Sequence, residues 1–426
     1  MLKVGKNNNG VELFSPHTNM IYNISETTWE IIKSVKKYGK EKAIQKNSSL
    51  FNISEKESKE DIETVLKNLK KLNINLNELP IDLDGEKLNI RIVHFDITSK
   101  CNSKCIYCLS SNRIDRKGDL STKKILETIK ELNDLGMWVL TISGGEPLLR
   151  RDIFEILDCL KKINIPIRFF TNGILINDTI AEKLSHYKDL MTIQISLDSS
   201  NAEHHDAQRG VKGSFEKTVK GIKNLMKYNC VPVISTVITQ LTLKDVEETA
   251  DFLHELGINY VRIGDAKICS EASISNKKIV NLKLDQARAL GKKIISINRK
   301  YKSSMKFSLS PHMINCPQDP NDLHDMPFCT AGVTSLYISP SGEVYPCIAL
   351  SEPELKVGDI KKDSVINIWN KSSLLKELRK LSVDDFEKCK SCDVKDICKG
   401  GCRGSSYENF KSLKSYDPIY CSYFNK

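Results

Sequence analysis

The pattern of apolar and polar positions changes near residue 89. From there, short apolar runs alternate with amphipathic segments of helical period. The runs predict six strands, over 90–97, 138–143, 166–171, 192–197, 233–239 and 260–263. Helices are predicted between them, for example over 121–135, 152–163, 214–228 and 243–256. Repeated strand–helix units predict an α/β fold, in which a parallel sheet curves into an open (β/α)6 partial TIM barrel. Functional groups are then expected at the carboxyl ends of the strands.

Residues 1–80 have a different pattern and predict a separate domain. Two strand-like runs, 11–14 and 20–24, flank a turn-rich pentad. A helix is predicted from Ser25 or Glu26, a second around 40–46, and a third after Ser54, where Glu57 completes a capping-box pattern. Two strands followed by three helices predict a compact winged-helix-like domain. Residues 78–88 are polar and turn-rich, which is typical of a linker.

Composition places few limits on function but excludes some classes. The chain has 426 residues, of which 40% are hydrophobic and 28% charged, as in ordinary globular proteins. It contains no apolar run long enough to span a bilayer and no signal-peptide pattern at its start, so we expect a cytoplasmic protein without membrane association. The formal charge of +10 comes from lysines spread over many predicted helix faces. This favours a solvated surface over a nucleic-acid partner.

Fourteen cysteines, none of them before residue 101, indicate metal or redox chemistry in a reducing compartment. Three form the pattern Cys101-x3-Cys105-x2-Cys108, directly after the first predicted barrel strand. Three thiolates from one loop can hold a 4Fe-4S cluster by three irons and leave the fourth iron open to a ligand. The alternatives are half of a zinc site or unlinked buried cysteines.

Polar residues follow the next predicted strands. The second strand ends in Ser143-Gly-Gly-Glu-Pro147, the third in Phe170-Thr-Asn-Gly173, and the fourth in Ile195-Ser-Leu-Asp198 with Arg209-Gly210 shortly after. Glycines let the backbone approach a ligand, and their exposed N–H and C=O groups can bind a charged amino-acid moiety. Ordinary turns and helix caps are the other interpretation of each segment.

On these motifs, residues 89–270 resemble a radical S-adenosylmethionine (AdoMet) enzyme. In that superfamily the open iron chelates AdoMet, and the reduced cluster cleaves it to a 5′-deoxyadenosyl radical that abstracts hydrogen from the substrate. The resemblance implies three iron ligands: Cys101, Cys105 and Cys108. It also implies three groups of AdoMet contacts. Tyr107 is expected near adenine, and Gly144, Gly145 and Glu146 near the methionine amino group. Ser196 and Arg209 are expected near the ribose and the carboxylate.

The C-terminal third carries seven more cysteines at fixed spacing, far more than one zinc ion needs. Their order resembles the SPASM extension of radical AdoMet maturases, which holds two auxiliary 4Fe-4S clusters; a zinc-ribbon pair is the alternative. The resemblance implies a first set of Cys329, Cys347 and Cys402, and a second set of Cys389, Cys392, Cys398 and Cys421. Cys316 is a candidate fourth ligand of the first set, and an open position is the other possibility. A hairpin of strands 335–338 and 343–345 is predicted to bring Cys347 back alongside Cys329.

The predicted domains are therefore 1–80, 89–310 and 311–426. The first resembles a PqqD-like precursor-peptide recognition element, on the stretches Leu13-Phe-Ser-Pro, Met20-Ile-Tyr-Asn-Ile-Ser and Ser54-Glu-Lys-Glu. In that family a leader peptide adds to the sheet as an extra strand. A DNA-binding winged helix or an appended domain without a role in recognition are the alternatives.

The whole pattern resembles SPASM peptide maturases of the sactipeptide and ranthipeptide type, which join a cysteine sulfur to carbon. We expect hydrogen abstraction from a Cα or side-chain carbon, attack by a substrate thiolate held on the first auxiliary cluster, and a flavodoxin- or ferredoxin-type reductant. Mycofactocin and pyrroloquinoline-quinone maturases, which decarboxylate or form carbon–carbon bonds, are alternatives. Sulfatase maturases place an aspartate where this chain has Ile348, and an iron–sulfur DNA-binding regulator would have no use for the GGEP motif. No catalytic acid or base is assigned.

Overall fold

The structure is a computed structural model that describes residues 2–7, 10–15, 20–72, 74–79, 90–110, 118–266, 271–301, 304–309 and 329–423. It divides the chain into two compact units, Met1–Asn89 and Ile90–Lys426. Most of the predicted linker and Cys316 lie outside the described residues. No helix in the described ranges is both long enough and apolar enough to cross a membrane.

The N-terminal unit is a three-stranded antiparallel sheet followed by three helices. Its strands, in sheet order, are β1 (Lys3–Asn7), β2 (Gly10–Ser15) and β3 (Met20–Ile24). Its helices are α1 (Glu26–Tyr38), α2 (Lys40–Phe51) and α3 (Glu55–Lys71). The two predicted strands and three predicted helices are confirmed, whereas β1 was not predicted. Its sequence is mostly polar, and only pairing with β2 makes it a strand.

Local signals explain where these helices begin. The hydroxyl of Ser25 accepts from the N–H of Thr28 at 3.1 Å and caps α1. At α3, Ser54 accepts from the N–H of Glu57 at 3.2 Å while the Glu57 carboxylate accepts from the N–H of Ser54 at 2.9 Å, so the predicted capping box is confirmed. The apolar faces of the helices close over the sheet, with Trp29 at the centre of the core.

The second unit is built on a parallel sheet. Six strands occur where predicted: β4 (Ile92–Asp96), β5 (Val139–Ser143), β6 (Ile167–Thr171), β7 (Met191–Ser196), β8 (Val233–Ile238) and β9 (Tyr260–Asp265). Each pairs in parallel with the next. A further parallel strand that was not predicted, β10 (Lys306–Leu309), pairs with β9. This is the parallel sheet of the partial barrel.

Helices connect the strands and cover one face of the sheet. They are α4 (Thr122–Asp134), α5 (Ile153–Lys162), α6 (Asp178–Ser185), α7 (Ala202–Arg209), α8 (Ser214–Lys227), α9 (Val246–Glu255), α10 (Glu271–Ser275), α11 (Lys277–Val280) and α12 (Leu284–Tyr301). In β4, Val93 and Phe95 are fully buried in the apolar core. Because side chains alternate along a strand, His94 and Asp96 lie on the opposite face.

The C-terminal third continues this sheet. Strand β11 (Ser335–Ile338) pairs in parallel with β4 and antiparallel with β12 (Glu343–Tyr345), which pairs with β13 (Gly358–Asp359). The predicted hairpin is thus confirmed. The helices beyond it are Val365–Lys371, Ser373–Lys380, Lys395–Cys398, Arg403–Phe410 and Pro418–Tyr423. The order of the ten strands is β10-β9-β8-β7-β6-β5-β4-β11-β12-β13.

Candidate cluster and cofactor site

The loop that carries Cys101, Cys105 and Cys108 follows β4 at the carboxyl edge of the sheet. Cys101 is exposed, and the other two are partly buried. The backbone of the loop is bonded to the end of α7, since the N–H of Lys104 donates to the carbonyl of Arg209 at 2.9 Å. The loop therefore has a fixed backbone path between the strand and this helix.

The glycines of the GGEP motif pack directly against this loop. The N–H of Gly145 donates to the carbonyl of Thr98 at 2.8 Å, and the N–H of Glu146 donates to the carbonyl of Lys100 at 2.8 Å. A Cβ added at Gly145 would lie 2.2 Å from the carbonyl oxygen of Lys100. Gly144 has φ +142°, and a Cβ there would lie 2.4 Å from the carbonyl oxygen of Thr98. Both positions need glycine so that the cysteine loop can approach. Their predicted contact with AdoMet remains a prediction.

The side chain of Glu146 joins the ends of β5 and β6. Its carboxylate accepts from the hydroxyl of Thr171 at 2.8 Å and from the N–H groups of Asn172 at 2.8 Å and Leu148 at 3.1 Å. Burial raises the pKa of Glu146 to about 7, although the three donors act in the opposite direction. The Asn172 amide also donates to the Asn102 side chain at 2.6 Å, so the end of β6 reaches the cysteine loop.

A buried ion pair lies on the other side of the loop. The Asp198 carboxylate is held by Arg209, with Nη2 to Oδ1 at 2.9 Å and Nε to Oδ2 at 2.8 Å, and accepts from the Tyr107 hydroxyl at 2.8 Å. Burial would lower the pKa of Arg209, but the adjacent Asp198 carboxylate raises it on balance. Nη1 of Arg209 also lies 3.8 Å from the sulfur of Cys105. The predicted residues Tyr107 and Arg209 are thus brought together, while Ser196 ends β7 as a partly buried residue.

Asp198 and Asp96 are central to this region. The sequence marks Asp198 only as the end of a polar segment that could contact a ligand or cap a helix, and it gives Asp96 no role. The Asp96 carboxylate accepts from the hydroxyls of Tyr337 at 2.8 Å and Ser110 at 3.2 Å, and lies 3.0 Å from Nε2 of His94. The position of both aspartates at the ends of predicted strands was the available signal. Tyr337 lies 241 residues away in sequence, so no local pattern could pair it with Asp96.

The three thiols of the loop form an all-sulfur donor set. Burial raises the pKa of Cys101 to about 11 and that of Cys108 to about 12, and it also raises the pKa of Cys105. Metal binding must therefore displace their protons. Among the described residues no three His, Cys, Asp or Glu side chains converge closely enough to hold one metal ion. In a 4Fe-4S cluster each thiolate binds a different iron, and three cysteine sulfurs on one loop are suitable donors for it.

The second C-terminal cysteine set surrounds one cavity of about 290 Å³. Its four cysteines line the wall: Cys389, Cys392, Cys398 and Cys421. Lys388, Tyr416 and Asp417 are further lining residues, and the Lys388 ammonium donates to the sulfur of Cys421. Burial raises the pKa of Cys398 to about 12. Four thiols around one cavity are a donor set that suits a 4Fe-4S cluster.

The first C-terminal set gathers beside this cavity. Cys329 and Cys347 pack against the same small apolar cluster, which includes Leu350. The pKa of Cys329 is raised by burial and by its neighbour Cys402. Just beyond Cys402, a Cβ added at Gly404 would lie 2.6 Å from Cβ of Ala349, so the segments that follow Cys402 and Cys347 are in close contact. The ligand roles within both sets remain predictions.

Comparison with protein families identifies two regions. Residues 95–253 match the model described as the Radical SAM superfamily, and residues 329–393 match SPASM, described as an iron-sulfur cluster-binding domain. Among curated proteins, the mycofactocin maturase MftC of Mycolicibacterium smegmatis is 30% identical over 326 residues, which cover 76% of this chain and 81% of the relative. The subtilosin biosynthesis protein AlbA of Bacillus subtilis is 30% identical over 356 residues, covering 82% and 72%.

Among solved structures, SuiB of Streptococcus suis bound to S-adenosylmethionine matches with a TM-score of 0.70 at 21% identity, over 99% of this chain and 98% of the other. SuiB bound to its precursor peptide SuiA matches with the same TM-score, at 20% identity. At this level of identity the likeness establishes the fold. It extends over both units of the chain.

Proposed function

The chain belongs to the Radical SAM superfamily, and we propose that it is a maturase that installs thioether cross-links in a ribosomally synthesised precursor peptide. It is an enzyme whose cofactors are 4Fe-4S clusters and AdoMet, because the Radical SAM and SPASM regions imply both. The observation that carries the proposal is the combination of two features. The N-terminal unit has a small sheet with an edge strand, and the rest of the chain carries ten cysteines in three groups.

The cofactor would be held at the carboxyl edge of the barrel. Cys101, Cys105 and Cys108 would ligate the cluster, and the backbone of Tyr107 and the GGE segment would face AdoMet. When bound, the cluster and AdoMet supply a radical that removes a hydrogen atom from the substrate. The side chains of Glu146, Asp198 and Arg209 fix the strand ends and the loop, as their hydrogen bonds indicate. They position the binding site and are themselves occupied by protein partners.

The N-terminal unit would bind the leader of the precursor as a PqqD-like element. In the described part of this unit, β3 is hydrogen-bonded to β2 on one side and borders no strand on the other. An extended peptide can add to such an edge through main-chain hydrogen bonds. Tyr22 and Ile24 of β3 also pack against the helical core, so the edge is fixed in place before the peptide arrives.

The first auxiliary set supports sulfur chemistry. Three cysteines are assigned to it, Cys329, Cys347 and Cys402, and the candidate fourth, Cys316, lies outside the described residues. Thiolates bind iron readily, so a cysteine of the substrate is a suitable occupant of a remaining position. We propose that this set would hold the substrate thiolate, whose proton leaves to solvent, and would take up the one electron left over when the C–S bond replaces the C–H bond. A flavodoxin- or ferredoxin-type protein would supply the electron that AdoMet cleavage needs.

Co-expression with a precursor tests the function. The reading frames that neighbour the gene are searched for a short cysteine-containing peptide. Each candidate is expressed with the enzyme and analysed by mass spectrometry before and after thiol alkylation. A thioether between a thiol and a C–H group removes two hydrogens, so we expect that mass loss together with loss of alkylation at one cysteine. A mass loss with the thiol intact contradicts the thioether proposal.

A mycofactocin-type reaction is the second candidate, favoured by the 30% identity to MftC. It predicts loss of carbon dioxide from the peptide or a carbon–carbon bond, and both leave cysteines alkylatable. A sulfatase-maturase role has less support because Ile348 follows Cys347 where that family has an aspartate. A DNA-binding regulator would form no 5′-deoxyadenosine from AdoMet, so that assay separates it from every enzyme candidate.

A further inference from the structure

Arg403 lies between the two C-terminal cysteine sets. It directly follows Cys402, and it is one of the largest fully buried side chains, at 1% exposure. Its own N–H donates to the sulfur of Cys329. Its guanidinium group donates to the carbonyl of Gly400, a residue that lines the cavity of the second set. One residue therefore contacts a cysteine of the first set and the wall of the cavity that the second set lines.

The positive charge of Arg403 is held by neutral groups. Its guanidinium nitrogens donate to the carbonyls of Leu413 at 3.0 Å and Gly401 at 3.4 Å, and at shorter range to those of Ser415 and Gly400. Its Cζ lies 4.1 Å from the ring centroid of Phe386. These carbonyls and the ring fix the group in place without cancelling its charge.

Asp417 is the acid near Arg403, but its oxygens are used elsewhere. Oδ2 accepts from the N–H of Cys402 at 3.0 Å, and Oδ1 accepts from the hydroxyl of Ser405 at 2.8 Å and from the N–H of Ile419 at 2.9 Å. A buried cation without a hydrogen-bonded carboxylate is costly in free energy. A protein can tolerate this cost where a nearby negative charge offsets it. The cysteine sulfurs within electrostatic range of the Arg403 guanidinium group are those of Cys329, Cys402 and Cys389.

We propose that Arg403 is a cation shared by the two auxiliary clusters and that it holds their reduction potentials above the values they would otherwise have. The proposal rests on the ligand sets assigned above. Thiolate-bound clusters are anionic, and reduction adds one more negative charge. A fixed positive charge in a medium of low dielectric constant therefore stabilises the reduced form. Because Arg403 faces both sets, one substitution shifts both potentials.

Arg379 provides a matched control. Its Cζ lies 3.9 Å from the Trp369 ring centroid, and it donates to the carbonyls of Gly332 at 3.0 Å and Trp369 at 2.9 Å. It has the same stacked, carbonyl-bound construction as Arg403, and burial lowers its pKa with no contribution from a cysteine among the described residues. Replacing Arg379 tests whether the loss of a buried, ring-stacked arginine away from the cysteines is enough to change the reduction potentials of the auxiliary clusters.

The experiment is a redox titration, followed by electron paramagnetic resonance, of the iron-loaded full-length enzyme. The signals followed are those that AdoMet does not perturb. We expect Arg403→Met to shift both auxiliary potentials to more negative values, whereas Arg403→Lys and Arg379→Met leave them near the parent values. Asp417→Asn removes a negative charge and should shift them to more positive values. Packing damage alone gives no reason for the two neutralising substitutions to act in opposite directions.

Unchanged potentials in Arg403→Met, or an equal shift in Arg379→Met, overturn the proposal. A shift in the same direction for Arg403→Met and Asp417→Asn also overturns it. If Arg403→Met does not load iron, Asp417→Asn decides, because a negative or absent shift contradicts a charge effect. Absence of auxiliary signals from the parent enzyme overturns both this proposal and the ligand sets. Normal signals with unchanged potentials in the variants overturn this one alone.

Discussion

The hydroxyl of Tyr337 donates to the carboxylate of Asp96 at 2.8 Å and joins the C-terminal third to the first barrel strand. Both side chains are fully buried. The bond spans the paired strands β11 and β4 close to Cys108, whose pKa is raised by burial with a smaller contribution from Asp96. The cysteine loop and the auxiliary-cluster region thus share one hydrogen-bonded carboxylate.

Removing this donor should destabilise the second unit. Tyr337→Phe leaves Asp96 with one partner fewer inside the protein, and we expect a loss of about 1–2 kcal/mol in the free energy of unfolding. Urea unfolding measures it. Tyr345→Phe is the control, because its hydroxyl bonds the partly exposed Glu343 at 3.1 Å in the same sheet. Equal losses of unfolding free energy in the two variants would show that the bond to Asp96 stabilises the protein no more than the bond to Glu343.

Gly145→Ala should displace the cysteine loop. The new Cβ would lie 2.2 Å from the carbonyl oxygen of Lys100 and 2.9 Å from Cβ of Cys101, so backbone must move. We expect loss of the iron signal that responds to AdoMet and retention of the auxiliary signals. Gly264→Ala in β9 is the control, since a Cβ there meets nothing within 4 Å. Normal AdoMet-responsive iron in Gly145→Ala would contradict the packing argument.

Asp198→Asn should be far more damaging than a similar change at the surface. It leaves the buried Arg209 without its counter-charge, and breaking a buried pair costs about 3–5 kcal/mol. The exposed pair of Lys227 and Asp178, at 3.0 Å, is the control. Asp178→Asn should leave the free energy of unfolding nearly unchanged, because exposed ion pairs contribute little. Unfolding free energies of the two variants that differ by less than experimental error would refute the expectation.

His205 should make stability depend on pH. Burial lowers its pKa from 6.5 to about 4, and its Nδ1 accepts from the N–H of Asp198 at 3.2 Å. As pH falls below 6.5, the unfolded chain binds a proton that the folded chain does not, so stability is lost on acidification. The loss should reach about 2 kcal/mol at pH 5.

The measurement compares variants from pH 7.5 to 5, so that acid effects on bound iron are common to both chains. The stability advantage of the parent over His205→Gln should shrink by about 2 kcal/mol across this range. His204→Gln is the control, because this neighbouring ring is more exposed and is paired with Asp245 at 2.6 Å. A constant difference between the parent and His205→Gln would mean that His205 titrates normally in the folded chain.

Features that depend on local sequence could be predicted, and features that depend on distant partners could not. The six barrel strands, the Ser54 capping box and the hairpin before Cys347 each leave a pattern within a few residues. Strand β1 is polar and becomes a strand through its pairing with β2. In the same way, the bond between Tyr337 and Asp96 depends on the register of β11 against β4, which local sequence does not encode.

The motif residues show a second limit. The sequence indicates that Glu146 belongs to a site, but not which of its atoms faces a ligand. In the structure its carboxylate accepts from Thr171, Asn172 and Leu148, and its backbone N–H and C=O are bonded to Lys100 and Leu149. Arg209 is similar, because its guanidinium group is engaged by Asp198. A motif therefore identifies the residue positions of a site. The hydrogen bonds of the structure are needed to show which polar groups of those residues already have a protein partner.

The division of the SPASM cysteines into two sets can be tested by additivity of iron loss. Cys329→Ala and Cys347→Ala belong to one proposed cluster, so the double variant should lose no more iron than either single variant. Cys329→Ala combined with Cys398→Ala removes ligands from both clusters, so the losses should add, because independent sites behave additively. Iron analysis of the purified chains measures this. Cys159→Ala, in helix α5, should lose none. Additive loss for Cys329 with Cys347 would place them in different clusters and overturn the grouping.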